Sequence, residues 1–394
     1  MGQSPDSSSY NETNGTSFLQ GCSEFGQKTP NSRIFTNRPN KIARKNSILI
    51  SVRAPVGTTN LADKDYCIGR GLASIYEINN ISTNEFLRYT IQHSIPLLLQ
   101  KAQGSTFEAI NSNDLKQLKV YCPDLPTQKR IAKILSTVDG QIEKTEAIIA
   151  KYQAIKQGML HDLFTRGIDL VTGKLRPIPE QSPELYKPSP LGLIPKDWGK
   201  YIFDDLINEY FDYRGKTPLK LGLSWGNGDI KALSANNVEM GRINFDKECY
   251  LGSDKLYSKW MHKGDCNKGD VIMTMEAPLG NVAQVPDNKK YILSQRTILF
   301  KTKSNIVNND FLFEYLQYND FQKQLYQNSS GTTALGIQQK RLAKIDIIIP
   351  PIDEQKVISD KLKSMTKIIS NEMSNLNKLQ KMKHGLMSRL LQGK

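Results

Sequence analysis

The stretch TQKRIAKILSTVDGQIEKTEAIIAKYQAIKQGMLHDLF (127–164) and its near-copy DEQKVISDKLKSMTKIISNEMSNLNKLQKMKHGLMSRLL (353–391) decide how the rest of the chain is read. At alternating steps of four and three, the first presents Ile131, Leu135, Val138, Ile142, Thr145, Ile149, Tyr152, Lys156, Met159 and Leu163. The second, shifted by 227, presents Ile358, Leu362, Met365, Ile369, Glu372, Leu376, Leu379, Lys383, Leu386 and Leu390. Each stripe is apolar save at two places, and the exceptions match: Thr145 with Glu372, Lys156 with Lys383. A generic amphipathic helix has no reason to put its lysine at the same point, so the match argues duplication. Each helix is roughly 57 Å long at 1.5 Å per residue. A narrow apolar seam of that length has to be covered, and the two helices are expected to pack along each other as a coiled coil.

The duplication continues outside the helices. KNSILISVRAPVG (45–57) corresponds to KGDVIMTMEAPLG (268–280), a β-rich run closed by an Ala-Pro-x-Gly turn. Further on, 104–131 parallels 331–358: Gly-Ser-Thr or Gly-Thr-Thr, then an alternating strand-like run (118–122; 345–349), then prolines that open the long helix. Segments 81–102 and 307–327 have helical periodicity behind Ser, Thr or Asn residues able to cap them. The expected order is globule, helix, globule, helix, divided as 1–125, 126–166, 167–198 (a proline-rich extended connector), 199–351 and 352–394.

The copies differ at their beginnings. Gly2-Gln3-Ser4-Pro5 resembles Gly215-Lys216-Thr217-Pro218, but the second copy has residues 198–214 before that point and the first has only Met1. The first globule is expected to lack an opening strand around 200–203 and a helical stretch after it. Either the start is an internal methionine or the domain is natively trimmed.

Composition narrows the class. With 38% apolar and 23% charged residues the chain has ample material for cores. No apolar run approaches the roughly 18 to 20 residues of a membrane span, and MGQSPDSSSYNETNG is not a signal peptide, so a cytoplasmic protein without membrane contact is expected. Cys22, Cys67, Cys122, Cys249 and Cys266 form no CxxC pair, which points to reduced thiols and to no metal site. The net charge of +14 points to a polyanionic partner, because neutralised phosphates release counterions.

Catalytic patterns are missing. There is no GxGxxG, no GxxxxGK[ST], no HExxH and no Asn- or Asp-Pro-Pro-aromatic tetrapeptide of a nucleic-acid methyltransferase. His93, His161, His262 and His384 lie apart, and Pro286-Asp287 with Lys289 and Lys290 reads as a lysine-rich turn, not a nuclease core. The chain reads as a binder.

The binding candidates are polar and basic loops. In the first globule they are Lys28, Arg33, Arg38, Lys41 and Arg44 within 26–46, with Arg53 beside the Ala-Pro-x-Gly turn and Arg70 between two glycines. In the second they are Arg214, Lys216, Lys220, Asn236, Asn237, Arg242, Gln295 and Arg296. Arginine pairs bidentately with guanine and amides with adenine, while lysine suits phosphate.

SVRAPVG and TMEAPLG, the GST and GTT turns, the P-x-x-x-x-Q entries at 123–128 and 350–355, the doubled long helices, and SPLGLIPKDW before the second globule together resemble the specificity subunit of type I restriction-modification systems. The resemblance spans essentially the whole chain. It implies an α+β protein: two tandem α/β target recognition domains separated by two long helices packed as an antiparallel coiled coil, a pseudo-twofold internal repeat. It also implies a non-catalytic subunit that reads one half of a bipartite site in double-stranded DNA with each domain. Two methyltransferase subunits would dock on the helices, joined by two restriction-translocase subunits, with S-adenosylmethionine, ATP and Mg on those other subunits. The residues alone leave open a different class, a protein-binding coiled-coil scaffold with incidental DNA affinity.

Overall fold

The computed structural model describes residues 1–102, 109–331 and 334–392. The chain forms two compact units, Met1–Ile149 with Asn371–Lys394, and Ala150–Ser370. Both long helices, Leu125–Thr165 and Ile352–Leu390, run from one unit into the other, so the compact units divide the helices where the expected segmentation kept them whole.

Within each unit the helices lie antiparallel. In the first unit, Ile131, Ala132 and Leu135 near the start of the first helix pack with Leu386, Met387, Leu390 and Leu391 near the end of the second. In the second unit, Leu160, Leu163 and Phe164 share a core with Ile358 and Leu362. Every position of the two stripes is buried or half-buried, the polar ones included. The matched lysines explain themselves here: Lys383 bonds Asp139 at 2.7 Å and lies over the Tyr89 ring, and Lys156 bonds the buried Glu314 at 3.0 Å. Each reaches the short helix of its unit's globule, where Tyr89 and Glu314 stand at corresponding places in FLRY (86–89) and FLFE (311–314).

The P-x-x-x-x-Q motif is a clip. Gln355 is fully buried; its Nε2 donates to the carbonyls of Pro350 and Ile306, both at 2.9 Å, and its Oε1 accepts the Asn308 N–H at 2.8 Å. Gln128 repeats this with Pro123 (2.8 Å), Ile81 (2.7 Å) and the Thr83 N–H (3.0 Å). One side chain thereby ties the entry of each long helix to the loop that opens the globule's own helix.

Among the described residues each globule has two sheets of three or more strands, and the second unit adds two-stranded pairings. In the second unit the larger runs Ile207–Asp212, Thr297–Thr302, Val271–Met275, Leu279–Gln284, all antiparallel; in the first, the corresponding sheet is Leu72–Ile75, Ile48–Ser51, Thr59–Leu61, one strand short. The other sheet contains a parallel pair in both units: Thr16–Leu19 with Tyr66–Ile68, and Ile230–Leu233 with Tyr291–Leu293. Both Ala-Pro-x-Gly turns hold a cis proline, at Ala54-Pro55 and Ala277-Pro278.

Several expectations change. Residues 118–122 form no strand, while their counterpart Asp346–Ile349 does, because only the latter has a partner in Gly199–Ile202. The helical stretch expected after 203 is one 3-10 turn, Phe203–Leu206, followed by the strand Ile207–Asp212. Segment 307–327 is two helices, Asn309–Gln317 and Asn319–Gln327, with extended Tyr318 between them. The connector is ordered: Tyr186–Ser189 and Gly192–Pro195 form a hairpin, and buried Glu354 receives Arg176 (2.6 and 2.9 Å), the Ile168 N–H (2.7 Å) and Trp198 Nε1 (3.2 Å). Gly167 ends the first helix at φ +65°, and a Cβ there would meet the Glu354 carboxylate. The turns at 104–106 and 332–333 lie outside the described residues.

Candidate nucleic-acid interface

One corner of each globule repeats the same three backbone links. In the first unit the Val52 N–H donates to Gly71 O at 2.9 Å, the Ile110 N–H donates to Val52 O, and Arg53 bridges to Ala109. In the second the Met275 N–H donates to Arg296 O at 2.7 Å, the Ile337 N–H donates to Met275 O, and Glu276 bridges to Gly336. Arg53 thus corresponds to Glu276, Gly71 to Arg296, and Arg70 to Gln295. Arg296 holds φ +63° at the place where the first unit has glycine.

Around this corner in the first unit stand the exposed side chains of Arg53, Arg70 and Lys41, the last joined through its carbonyl to the Ile68 N–H at 2.9 Å. Arg33 and Arg38, at either end of the strand Ile34–Thr36, are exposed too. Among the described residues none of these five takes part in an ion pair. Lys28 and Arg44 are engaged: Lys28 bonds Glu143 of the first long helix at 2.6 Å, and Arg44 lies over the Tyr76 ring.

In the second unit the corner opens into a cleft of about 430 Å³. Asn236, Asn281, Gln295 and Arg296 line it, with Glu239, Lys247 and the stacked pair Trp225–Tyr250, whose centroids are 5.3 Å apart at 12°. Gln295 is exposed, and among the described residues its side-chain amide makes no hydrogen bond, which leaves both a donor and an acceptor for a base edge. Asn236 is exposed and donates to Glu248 O at 3.1 Å. Arg296 faces Glu276 at 3.5 Å, a half-exposed pair that is cheap to exchange for a ligand. Glu239 gathers Asn244 (2.9 Å), Arg242 (2.7 Å) and Lys247 (3.1 Å), and these partners hold its carboxyl at about 2, so it is ionised at neutral pH.

Four candidates have their polar groups engaged within the fold. Asn237 is fully buried with its amide donating to the Glu248 carbonyl, so it braces a turn. Arg214 grips Asp212 through Nε and Nη2. Lys216 donates to Trp260 O at 3.0 Å and sits over the Tyr213 ring, and burial lowers its pKa. Lys220 donates to Gly215 O at 2.6 Å. These bonds fix the loop after Ile207–Asp212. Sequence reasoning did not single out Trp225, Lys247, Tyr250 or Asn281, which also line the cleft; the available signals were tryptophan between two glycines (222 and 226) and, for Asn281, its place directly after the Ala-Pro-x-Gly turn.

Among the described residues no group of His, Cys, Asp and Glu side chains is placed to hold a metal ion, and no helix is long and apolar enough to cross a membrane. The model of the type I restriction modification DNA specificity domain matches residues 7–153 and 195–381, most of the chain and both units. The chain belongs to that family. It is a type I restriction-modification specificity subunit, the component that targets and does not catalyse. It is 27% identical over 334 residues to the MjaVIII specificity subunit of Methanocaldococcus jannaschii, covering 82% of this chain and 73% of that one. It is 42% identical over 173 residues to a protein named for the MjaX specificity subunit of the same organism, covering 44% of this chain and 41% of that one. The type I S subunit of M. genitalium shares the fold at TM-score 0.57 and 16% identity, over 99% of this chain and 92% of that one. A structure from a study of type I complex assembly does so at 0.53 and 13%, over 96% and 92%.

Proposed function

We propose that this specificity subunit reads a bipartite site in double-stranded DNA, one half with each globule. The observation that supports this is the shared corner, which carries different reading groups in the two units: Arg53 and Arg70 in one, Glu276, Gln295 and Arg296 in the other. Arginine favours guanine, glutamine adenine, and a carboxylate accepts from cytosine, so one frame presents two different sequence preferences. Each good bidentate pair contributes about 1–3 kcal/mol of discrimination. Exposed Arg33, Arg38 and Lys41 supply phosphate contacts in the first unit; in the second, Arg242 and Lys247 do so by giving up their surface pairs with Glu239.

The exposed helix positions Lys129, Arg130, Lys144, Lys151, Lys361, Lys367 and Lys378 are the proposed seats of two methyltransferase subunits. Two restriction-translocase subunits complete the complex, with S-adenosylmethionine, ATP and Mg held on those partners, and the assembly works in the cytoplasm. The test is methylation mapping of a host genome with the chain present, deleted, or carrying Arg70→Ala or Gln295→Ala. A two-part motif should vanish on deletion, and each substitution should relax a different half. A methylation pattern untouched by deletion, or two substitutions relaxing the same half, overturns the proposal.

A further inference from the structure

The two units hold their basic side chains differently. Among the described residues, Arg33, Arg38, Lys41, Arg53 and Arg70 of the first unit form no ion pair, while Arg242 and Lys247 of the second share one carboxylate, that of Glu239. Arg242 Nη2 stands 2.7 Å from its Oε2 and Lys247 Nζ 3.1 Å from its Oε1, and Asn244 Nδ2 donates to Oε1 at 2.9 Å. The two cations are 66% and 46% exposed, the acid that holds them 26%.

Glu239 is placed by the backbone and not by these partners. Val238–Glu239 and Arg242–Ile243 form a hairpin closed through Gly241, whose φ of +86° favours glycine. The hairpin is tied to the strand Leu279–Gln284, which leads out of the Ala-Pro-x-Gly corner: the Gly241 N–H donates to Val282 O at 2.7 Å, and Asn281 Nδ2 to Val238 O at 2.9 Å. Asn281 and Glu239 line the same cleft as Gln295 and Arg296. A fixed acid therefore stands beside the reading groups, with two long basic side chains folded back onto it.

We propose that Glu239 is a specificity-determining residue of the second unit, which withholds Arg242 and Lys247 from DNA whose second half-site does not match and releases them when it does. This rests on the DNA reading proposed above and adds to it a residue that acts through two others. The ground is a difference between two exchanges. Exposed ion pairs contribute little, so a duplex seated by its base contacts replaces both with phosphate contacts at small cost. On a half-site that Gln295 and Arg296 do not engage, no phosphate is held within reach of the two cations, and the pairs with Glu239 persist. The carboxylate itself repels phosphate that lies out of register.

Salt dependence of binding separates this from a simple change of charge. The full chain is titrated with two duplexes, one carrying the site found by methylation mapping and one with its second half scrambled, from about 50 to about 200 mM salt. Glu239→Gln retains an oxygen for Asn244 and frees both cations, and a cooperative thermal transition checks that it folds. On the scrambled duplex its log-log salt slope should steepen by roughly 0.9 to 1.8, one or two phosphate contacts at about 0.9 each, and its affinity should rise severalfold. On the matching duplex, where the cations already meet phosphate, the slope should stay at the wild-type value, so discrimination between the duplexes falls. Adding Arg242→Ala and Lys247→Ala to Glu239→Gln should abolish the steepening. An equal gain in affinity on both duplexes is a mere loss of negative charge and overturns the proposal, as does an unchanged slope on the scrambled duplex. Gln295→Ala tests the underlying reading separately: if it leaves discrimination of the second half intact, the DNA reading fails and this inference falls with it.

Discussion

At the scale of single residues, this protein turns on side chains that look ordinary in the sequence and bear specific bonds in the fold. Gln355 and Gln128 are the clearest cases. Each satisfies two carbonyls and one N–H that would otherwise be buried without partners. Gln355→Ala should lower unfolding free energy by on the order of 3 kcal/mol, since stranding buried polar groups costs about 1–3 kcal/mol apiece and some admit water. Denaturant unfolding with an unchanged m-value measures it; a loss under about 0.5 kcal/mol, the range of a surface substitution, contradicts the clip. The free and the engaged cations divide for the same kind of reason. Lys28 meets Glu143 and Lys216 meets Trp260, partners remote in sequence, so no local pattern separates them from exposed Arg33 or Arg70.

At the scale of elements, the long helices follow their hydrophobic stripes closely. Every position on the steps of four and three is buried or half-buried; off-stripe Ile148, mid-helix, is 40% exposed, while off-stripe Ala132, Leu160, Phe164 and Leu391 are buried in the cores at the helix ends. Leu135, fully buried against the end of the second helix, gives the contrast. Leu135→Ala should cost about 3 kcal/mol and Ile148→Ala under about 0.5 kcal/mol in urea unfolding. Similar costs at the two sites would mean that the stripe is not the packed face. Strands were less legible: 118–122 and 345–349 have the same alternation, but a strand needs a partner, and only the second copy has one. The connector defeated periodicity because its order comes from Glu354, which lies far along the chain and gathers Arg176, Trp198 and the Ile168 amide.

At the scale of the whole molecule, the proposed role makes the paired helices a ruler for the unread gap of the DNA site. Inserting one heptad in each helix, after Ile149 and after Ser370, adds about 10 Å at 1.5 Å per residue. The methylated motif should then keep both halves and lengthen its gap by about 3 base pairs at 3.4 Å each. An unchanged gap with methylation intact rules out the ruler.

What the sequence determined by itself is the duplication, the helical seam, the order of globules and helices, and the family. All of these rest on period and repeat, which are local properties that survive without coordinates. The mismatch at the two beginnings was legible too, because it is an absence in an alignment of the chain with itself. Only the tertiary structure decided which of the candidate side chains are exposed and which are engaged within the fold. Asn236 and Asn237 are neighbours of identical chemistry, and one lines a cleft while the other is sealed inside a turn. Arg70 and Gln295 share no local motif, yet the backbone bonds of their loops place them at the same corner. Exposure and equivalence of that kind depend on what distant segments cover and bond, and no window of sequence contains those segments together.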